Sequence, residues 1–249
     1  KYKGNKDKLK DCTMVFIAVP TPTTPKGFNC DILEDVLKLL KDGTIAVIKS
    51  TIKVGTARIL QKLYPKLVII HSPEFLTEKT AAYDAQNPER NIIGIADMND
   101  ADLRTKAQMV IEVLPKAPYE LITKYENAEL IKYGGNNWFY FKVVYMNILY
   151  DLVEKAGADF EVIKEGMSHD SRVGKTHLDV IHQGGRGAGG HCFIKDFEAF
   201  IEMVDGYKKD IPDFGAILLL GAMREYNLLR LRQSKKDIEI IEEVYGNRE

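Results

Sequence analysis

The residues best suited to chemistry lie in one stretch, Gly184-Gly185-Arg186-Gly187-Ala188-Gly189-Gly190-His191-Cys192-Phe193-Ile194-Lys195-Asp196. Five glycines in seven residues free a backbone to approach a ligand closely. Cys192 falls where a helix would start, and both a helix N-terminus and the nearby Lys195 favour a thiolate. Asp196, four residues on, shares a helix face with it. The pattern suits a nucleophilic cysteine with a carboxylate partner. A flexible loop followed by a small buried cysteine is the alternative.

Three other groupings could contribute. Lys132 and Asn136 stand one helical turn apart inside an apolar segment. Turned inward together they would be costly unless they serve a ligand; a solvated face or a snorkelling lysine is the alternative. Val19-Pro20-Thr21-Pro22, Lys49-Ser50-Thr51 and Ser72-Pro73-Glu74-Phe75-Leu76-Thr77-Glu78 each follow an apolar run. In a parallel sheet all carboxyl ends lie on one edge, where ligands bind, and Thr51, Glu74 and Glu78 would meet there. Ordinary turn and cap chemistry would use the same residues. Ser168-His169-Asp170-Ser171-Arg172-Val173-Gly174 reads by itself as a polar loop with a local Asp–Arg pair. The histidines at 71, 169, 177, 182 and 191 show no metal-ligand spacing, so no metal site is expected.

These residues need a scaffold, and the chain of 249 residues suffices for one to two domains. Hydrophobic residues at 45% and charged residues at 29% are ordinary for a globular protein. Thirty-five Lys+Arg against thirty-six Asp+Glu leave a formal charge of -1, which removes the electrostatic case for a nucleic-acid partner or an acidic membrane surface. No apolar run approaches the ~20 residues that span a bilayer. The basic start, Lys1 to Lys6, has no apolar segment behind it and does not read as a signal peptide. Three scattered cysteines suit neither a disulfide framework nor a structural zinc site, which makes a reducing cytoplasm the expected compartment.

Continuous apolar runs at 13–19, 44–50, 67–71 and 91–96 predict strands buried on both faces. Helical spacing at 31–40 and 55–63 between them predicts a parallel α/β sheet. From about Lys124 the pattern turns helical. Tyr125 to Ala156 has no proline, and its one weak point is Gly134-Gly135. At 1.5 Å per residue this helix would be about 45 Å long and would need a large surface to pack against. Further helices are expected at 160–166, 197–204 and 214–229, and 233–249 reads as a surface helix or a fraying tail. The expected division is 1–120 for the sheet domain and 121–249 for the helical domain.

Together these stretches resemble the UDP-glucose/GDP-mannose dehydrogenase family. The resemblance is carried in family order by Phe16-Ile17-Ala18-Val19-Pro20-Thr21-Pro22, Lys49-Ser50-Thr51-Ile52, Ser72 to Glu78, Asn127-Ala128-Glu129-Leu130-Ile131-Lys132-Tyr133, Asp170 to Gly174 and Gly189 to Asp196. It implies a partial Rossmann-like parallel sheet followed by an all-helical central domain. It also implies NAD-dependent oxidation of the C6 alcohol of a nucleotide sugar to a carboxylate, in the service of polysaccharide precursors. Cys192 would be the nucleophile, passing through a thiohemiacetal and a thioester. Lys132 and Asn136 would stabilise the oxyanion, Asp196 and Thr51 would position water or relay a proton, and Glu74 would assist thioester hydrolysis. Thr21, Thr51, Glu78 and Lys195 would lie near NAD. Phe75, Leu76 and the loop of Gly185, Gly187 and Gly189 would hold the substrate, with Arg172 reaching it from the other subunit of a homodimer built on helix 125–156. Lys195 before Asp196 is more like the UDP-glucose and GDP-mannose branches, and His191 before Cys192 more like the N-acetylated-sugar branch. UDP-glucose is the favoured substrate.

The chain departs from the family pattern at both ends. The family's opening unit of a strand, a GxGxxG turn and a helix for the NAD pyrophosphate does not occur, and the sequence enters at what would be the fourth strand of that domain. The family's third domain is also absent. With no initiator Met, the expectation is a portion of a longer protein. A non-catalytic, dimeric sugar-nucleotide-binding module is the alternative reading, and a β-hydroxyacid-type dehydrogenase, which would not need Cys192, is a third.

Overall fold

The Val- and Ile-rich runs form the centre of a five-stranded sheet in the computed structural model, which describes residues 4–207 and 214–246. In chain order the elements are β1 (Met14–Ile17), β2 (Thr23–Thr24), β3 (Gly27–Phe28), α1 (Asp31–Leu37), β4 (Ile45–Ile48), α2 (Thr56–Leu63), β5 (Val68–His71), α3 (Ala81–Gln86), β6 (Arg90–Ile95), α4 (Ala101–Val113) and β7 (Tyr119–Lys124). Then come α5 (Tyr125–Ala156), α6 (Phe160–Ser168), α7 (Gly190–Gly206), α8 (Phe214–Gln233) and α9 (Ile238–Tyr245). The chain divides into two units: 1–22 with 28–132, and 23–27 with 133–249.

In the first unit the sheet order is β1-β4-β5-β6-β7. Because strand side chains alternate between faces, β4 supplies both cores. Ala46 and Ile48 pack with Leu33, Leu37, Ala57 and Leu60 under α1 and α2, while Ile45 and Val47 pack with Ala107, Val110 and Ile111 under α4. β1, β4 and β5 run parallel, as the apolar runs predict. β6 does not: it pairs antiparallel with β5, and β7 then runs parallel to β6. The reason lies in the connection. A parallel return needs a helix packed across the sheet face, and α3, six residues long, buries none of them. The chain therefore re-enters the sheet from the edge it left. β7 falls in the stretch that sequence spacing treats as a boundary.

α5 runs unbroken over Tyr125–Ala156, straight through Gly134-Gly135. A glycine costs a helix about 1 kcal/mol relative to alanine. Within the second unit, burial of Tyr140, Val143 and Val144 against Phe197, Ile201 and Leu220 outweighs that. The segment after 233 is more than a surface helix: Ile241, Val244 and Tyr245 of α9 are buried with Ile194, Leu228 and Leu231. Residues 247–249 of that segment lie outside the described residues.

Candidate active site

The first unit holds one group of candidates at the carboxyl edge of β1, β4 and β5. The loop after β1 is tied to the loop after β4, where the Thr21 hydroxyl donates to the Thr51 carbonyl at 2.7 Å and the Ser50 hydroxyl donates to the Val19 carbonyl at 2.6 Å. Thr21 thus shapes this edge, and Thr51 stands half-buried on it. Lys49, the residue after β4, reaches across to the loop after β5. Its Nζ lies 2.7 Å from Glu74 Oε1 and donates to Ser72 Oγ at 3.0 Å. Glu74 is brought to the end of β4 by this pair. Glu78 and Leu76 are exposed further along the loop.

Lys132 is buried, as an inward-facing lysine of α5 would be. Its Nζ lies 5.6 Å from the centroid of the Phe75 ring, and the Arg90 guanidinium carbon lies 4.0 Å from the same ring. The ring quadrupole attracts both cations. Three residues before Lys132, the buried Glu129 accepts from the Gly55 amide at 2.7 Å and from the Ala57 amide at 2.9 Å. It caps α2, whose N-cap, Gly55, has no side chain to do so. Burial outweighs those two bonds and pushes the Glu129 carboxyl up to about 7.

The second unit holds the other group. Cys192 is the third residue of α7, and its side chain is exposed. Asp196, one turn further, is 1% exposed. Its two oxygens are taken separately: Asn136 Nδ2 donates to Oδ2 at 2.6 Å, and Lys195 Nζ lies 2.5 Å from Oδ1. The Lys195 charge is therefore spent on Asp196, which offsets the burial of that carboxylate. Asn136, Lys195 and Asp196 come together; Arg172 stands apart, exposed, with its guanidinium forked onto Asp170.

The glycine-rich loop is held by the chain itself. A Cβ on Gly185 would lie 2.8 Å from Ser234 Cβ, one on Gly187 3.1 Å from Asn227 Oδ1, and one on Gly189 2.0 Å from Asp237 Oδ2. At these three positions the close approach is to the protein's own side chains. Asn227 both donates to and accepts from Ala188, and the buried Lys236 donates to the Gly187 carbonyl at 2.9 Å. Arg186 turns away to Asn147 and Asp151.

Lys49, Arg90, Glu129, Asn227, Lys236 and Asp237 have no role in the sequence reading. A charged residue directly after an apolar strand could have flagged Lys49, and a carboxylate one turn before Lys132 could have flagged Glu129. Lys236 and Asp237 carry no such signal, since they sit in a charged stretch that reads as surface.

Likeness to solved structures sets the class. The fold matches a UDP-glucose dehydrogenase from the hyperthermophilic archaeon Pyrobaculum islandicum with a TM-score of 0.76 at 26% identity, covering 98% of this chain and 56% of that one. Residues 3–113 match the NAD binding domain, and residues 126–227 the central domain, of the UDP-glucose/GDP-mannose dehydrogenase family. Between them they take in most of the chain, which belongs to that family. Among curated relatives, it is 32% identical over 231 residues to a UDP-glucose 6-dehydrogenase of Rickettsia typhi, covering 89% of this chain and 52% of that protein. It is 32% identical over 217 residues to the UDP-glucose 6-dehydrogenase YwqF of Bacillus subtilis, covering 81% and 47%. The chain thus spans about half the length of the curated relatives it matches.

NAD is the cofactor of the first matched domain. Three parallel strands finish on one edge, where a dinucleotide binds in a sheet of this kind, and their loops carry Thr21, Thr51 and Glu78. The GxGxxG spacing the sequence holds, Gly185 to Gly190, leads into α7 from the segment after α6 and not from a strand, so it is not the strand-to-helix turn that takes a pyrophosphate. Among the described residues no helix is long and apolar enough to cross a membrane.

Proposed function

We propose that this chain carries the catalytic residues of an NAD-dependent nucleotide-sugar 6-dehydrogenase that oxidises UDP-glucose to the uronate. The observation that carries this reading is the arrangement of α7 against α5: an exposed Cys192 one turn from a buried Asp196, itself shared between Lys195 of α7 and Asn136 of α5. NAD, when bound, supplies the two hydride acceptances of the four-electron oxidation. The Cys192 thiolate adds to the C6 aldehyde carbon, forming a C–S bond and placing the pair from the carbonyl on oxygen. Loss of the C6 hydrogen as hydride then leaves a thioester, and water cleaves it to carboxylate and thiol. Covalent capture keeps the aldehyde from escaping between the two oxidations.

Lys132 and Asn136 stabilise the oxyanion, a role in which preorganised donors are most effective. Asp196 and Thr51 hand on protons, and Glu74 acts as base toward the hydrolytic water. Thr21, Glu78 and Lys195 line the NAD side; Phe75, Leu76, Arg172 and the loop of Gly185, Gly187 and Gly189 line the sugar nucleotide.

NADH formation measured with UDP-glucose, GDP-mannose and UDP-N-acetylmannosamine at high NAD tests this. Two NADH per UDP-glucose is the expected stoichiometry. No NADH with any of the three overturns it in favour of a sugar-nucleotide-binding module without turnover.

The protein also acts as a homodimer through α5. Trp138, Tyr145, Ile148 and Leu152 are each half exposed or more, and their spacing places them on one stripe of the helix. Light scattering at micromolar concentration is expected to give about twice the chain mass of 28.2 kDa, and the monomer mass for Tyr145→Glu with Leu152→Glu. A monomeric wild type would sink the dimer.

A further inference from the structure

Helix α7 begins at a glycine N-cap, Gly189, that has no side chain to satisfy the first amides. The missing cap comes from 47 residues downstream: Asp237 Oδ2 accepts the Gly190 amide at 2.7 Å. Asp237 sits between α8 and α9 with φ +54, a left-handed backbone. Its neighbour Lys236 holds the Gly187 carbonyl, and Ser234 Oγ accepts the Arg186 amide at 2.9 Å. The short segment 234–237 thus fixes the glycine loop through the Arg186 amide, the Gly187 carbonyl and the Gly190 amide, up to the turn that carries Cys192. Gly189 is required by this contact, since a Cβ there would lie 2.0 Å from Asp237 Oδ2.

A carboxylate at a helix N-terminus has two effects. It satisfies the amides, and it cancels part of the positive end that would otherwise favour a thiolate two residues on. We propose that Asp237 is a positioning residue for Cys192, anchoring the first turn of α7 and tempering the reactivity of its exposed thiol. The proposal rests on the reading of Cys192 as the nucleophile. Other charged or titratable groups on the surrounding elements are His191, Lys195 and Asp196 on α7, Lys236 beside Asp237, Glu239 in the first turn of α9, and Arg224, paired with Glu198, on α8. His177, whose ring lies 5.7 Å from that of Phe193, comes from the preceding loop. β2 brings only Thr23 and Thr24. Lys195 is engaged by Asp196, which leaves Asp237 as the charge hydrogen-bonded to the helix end itself.

The test is the pH profile of iodoacetamide alkylation of the full chain, read peptide by peptide so that Cys12 and Cys30 report on the rest of the fold. Asparagine tolerates the same left-handed backbone and keeps an acceptor oxygen, so Asp237→Asn removes the charge alone. It is expected to raise the Cys192 rate at pH 7 by about two- to fivefold and to shift the profile to lower pH, with Cys12 and Cys30 unchanged. Gly189→Ala, which must displace the carboxylate, is expected to give the same rise. An unchanged Cys192 profile in Asp237→Asn, or a rise shared by all three cysteines, overturns the proposal. Alkylation needs no turnover, so this result stands apart from the reading of Cys192, which an active Cys192→Ser enzyme would overturn.

Discussion

Replacing Cys192 by serine is expected to lower uronate formation by about a thousandfold or more, because the covalent step then lacks its nucleophile. A serine hydroxyl keeps its proton at neutral pH even at a helix N-terminus, whereas a thiol ionises readily there. The variant should still fold. The Cys192 side chain is exposed, and serine is nearly its isostere, so the substitution opens no core cavity of the kind that gives large losses. NADH release with UDP-glucose, together with a urea midpoint for the same preparation, separates lost chemistry from lost structure. Turnover equal to wild type would remove the cysteine mechanism and favour the β-hydroxyacid type of dehydrogenase.

The second large effect is on stability against pH. His71 closes β5, fully buried, with Nε2 3.3 Å from the Ser50 carbonyl and Nδ1 without a hydrogen-bond partner. Burial pushes its pKa down to about 3, with the charge of Lys49 acting in the same direction. The unfolded chain therefore takes up a proton near pH 6.5 that the folded one refuses. The stability this neutral histidine confers is complete above pH 6.5 and is lost as pH falls toward 3, at about 1.4 kcal/mol per pH unit. Glu129 works in the opposite sense. Its carboxyl, raised by burial to about 7, takes a proton in the folded state before the unfolded one does. Its contribution is complete below pH 4.5 and is lost as pH rises to about 7.

Between pH 4.5 and 6.5 the two slopes cancel. Below pH 4.5 His71 is unopposed, and Glu126, held below the usual carboxylate range by its bond to Arg58, adds to the loss. Urea midpoints of the wild type should be nearly flat down to about pH 4.5 and fall steeply beneath it. Glu129→Gln removes the compensating group, so its decline should begin near pH 6.5. Superimposable profiles for the two proteins would refute the balance.

The contrast between legible and hidden features follows from the range of the interactions. Apolar runs revealed β1, β4 and β5; β4 is buried on both faces, as its four consecutive apolar residues Ile45–Ile48 require, whereas β1 ends the sheet order and leaves Phe16 exposed, contrary to the expectation from its run. The unbroken helical spacing of Tyr125–Ala156 gave α5 its limits. The direction of β6 was not legible, since an apolar run reads the same in a parallel or an antiparallel pair. Nor was β7, an edge strand with half its residues exposed and no apolar run. Residue types singled out Cys192, Asp196, Lys132 and Asn136 as candidates. They gave no sign that Lys49 would take Glu74, or that Asp237 would cap the cysteine's helix.

Local composition alone determined β1, β4 and β5, the long helix and the placing of Cys192 at a helix start, because burial and hydrogen bonding within a few residues decide those. Tertiary structure decided which carboxylate each cation meets. Lys49 and Glu74 are 25 residues apart in sequence and 2.7 Å apart in space. Asp237 and Gly190, 47 residues apart, share one hydrogen bond. Such pairs form only after the apolar faces have packed, and a hydrogen bond's reach of about 3 Å leaves no trace in the spacing of residues along the chain.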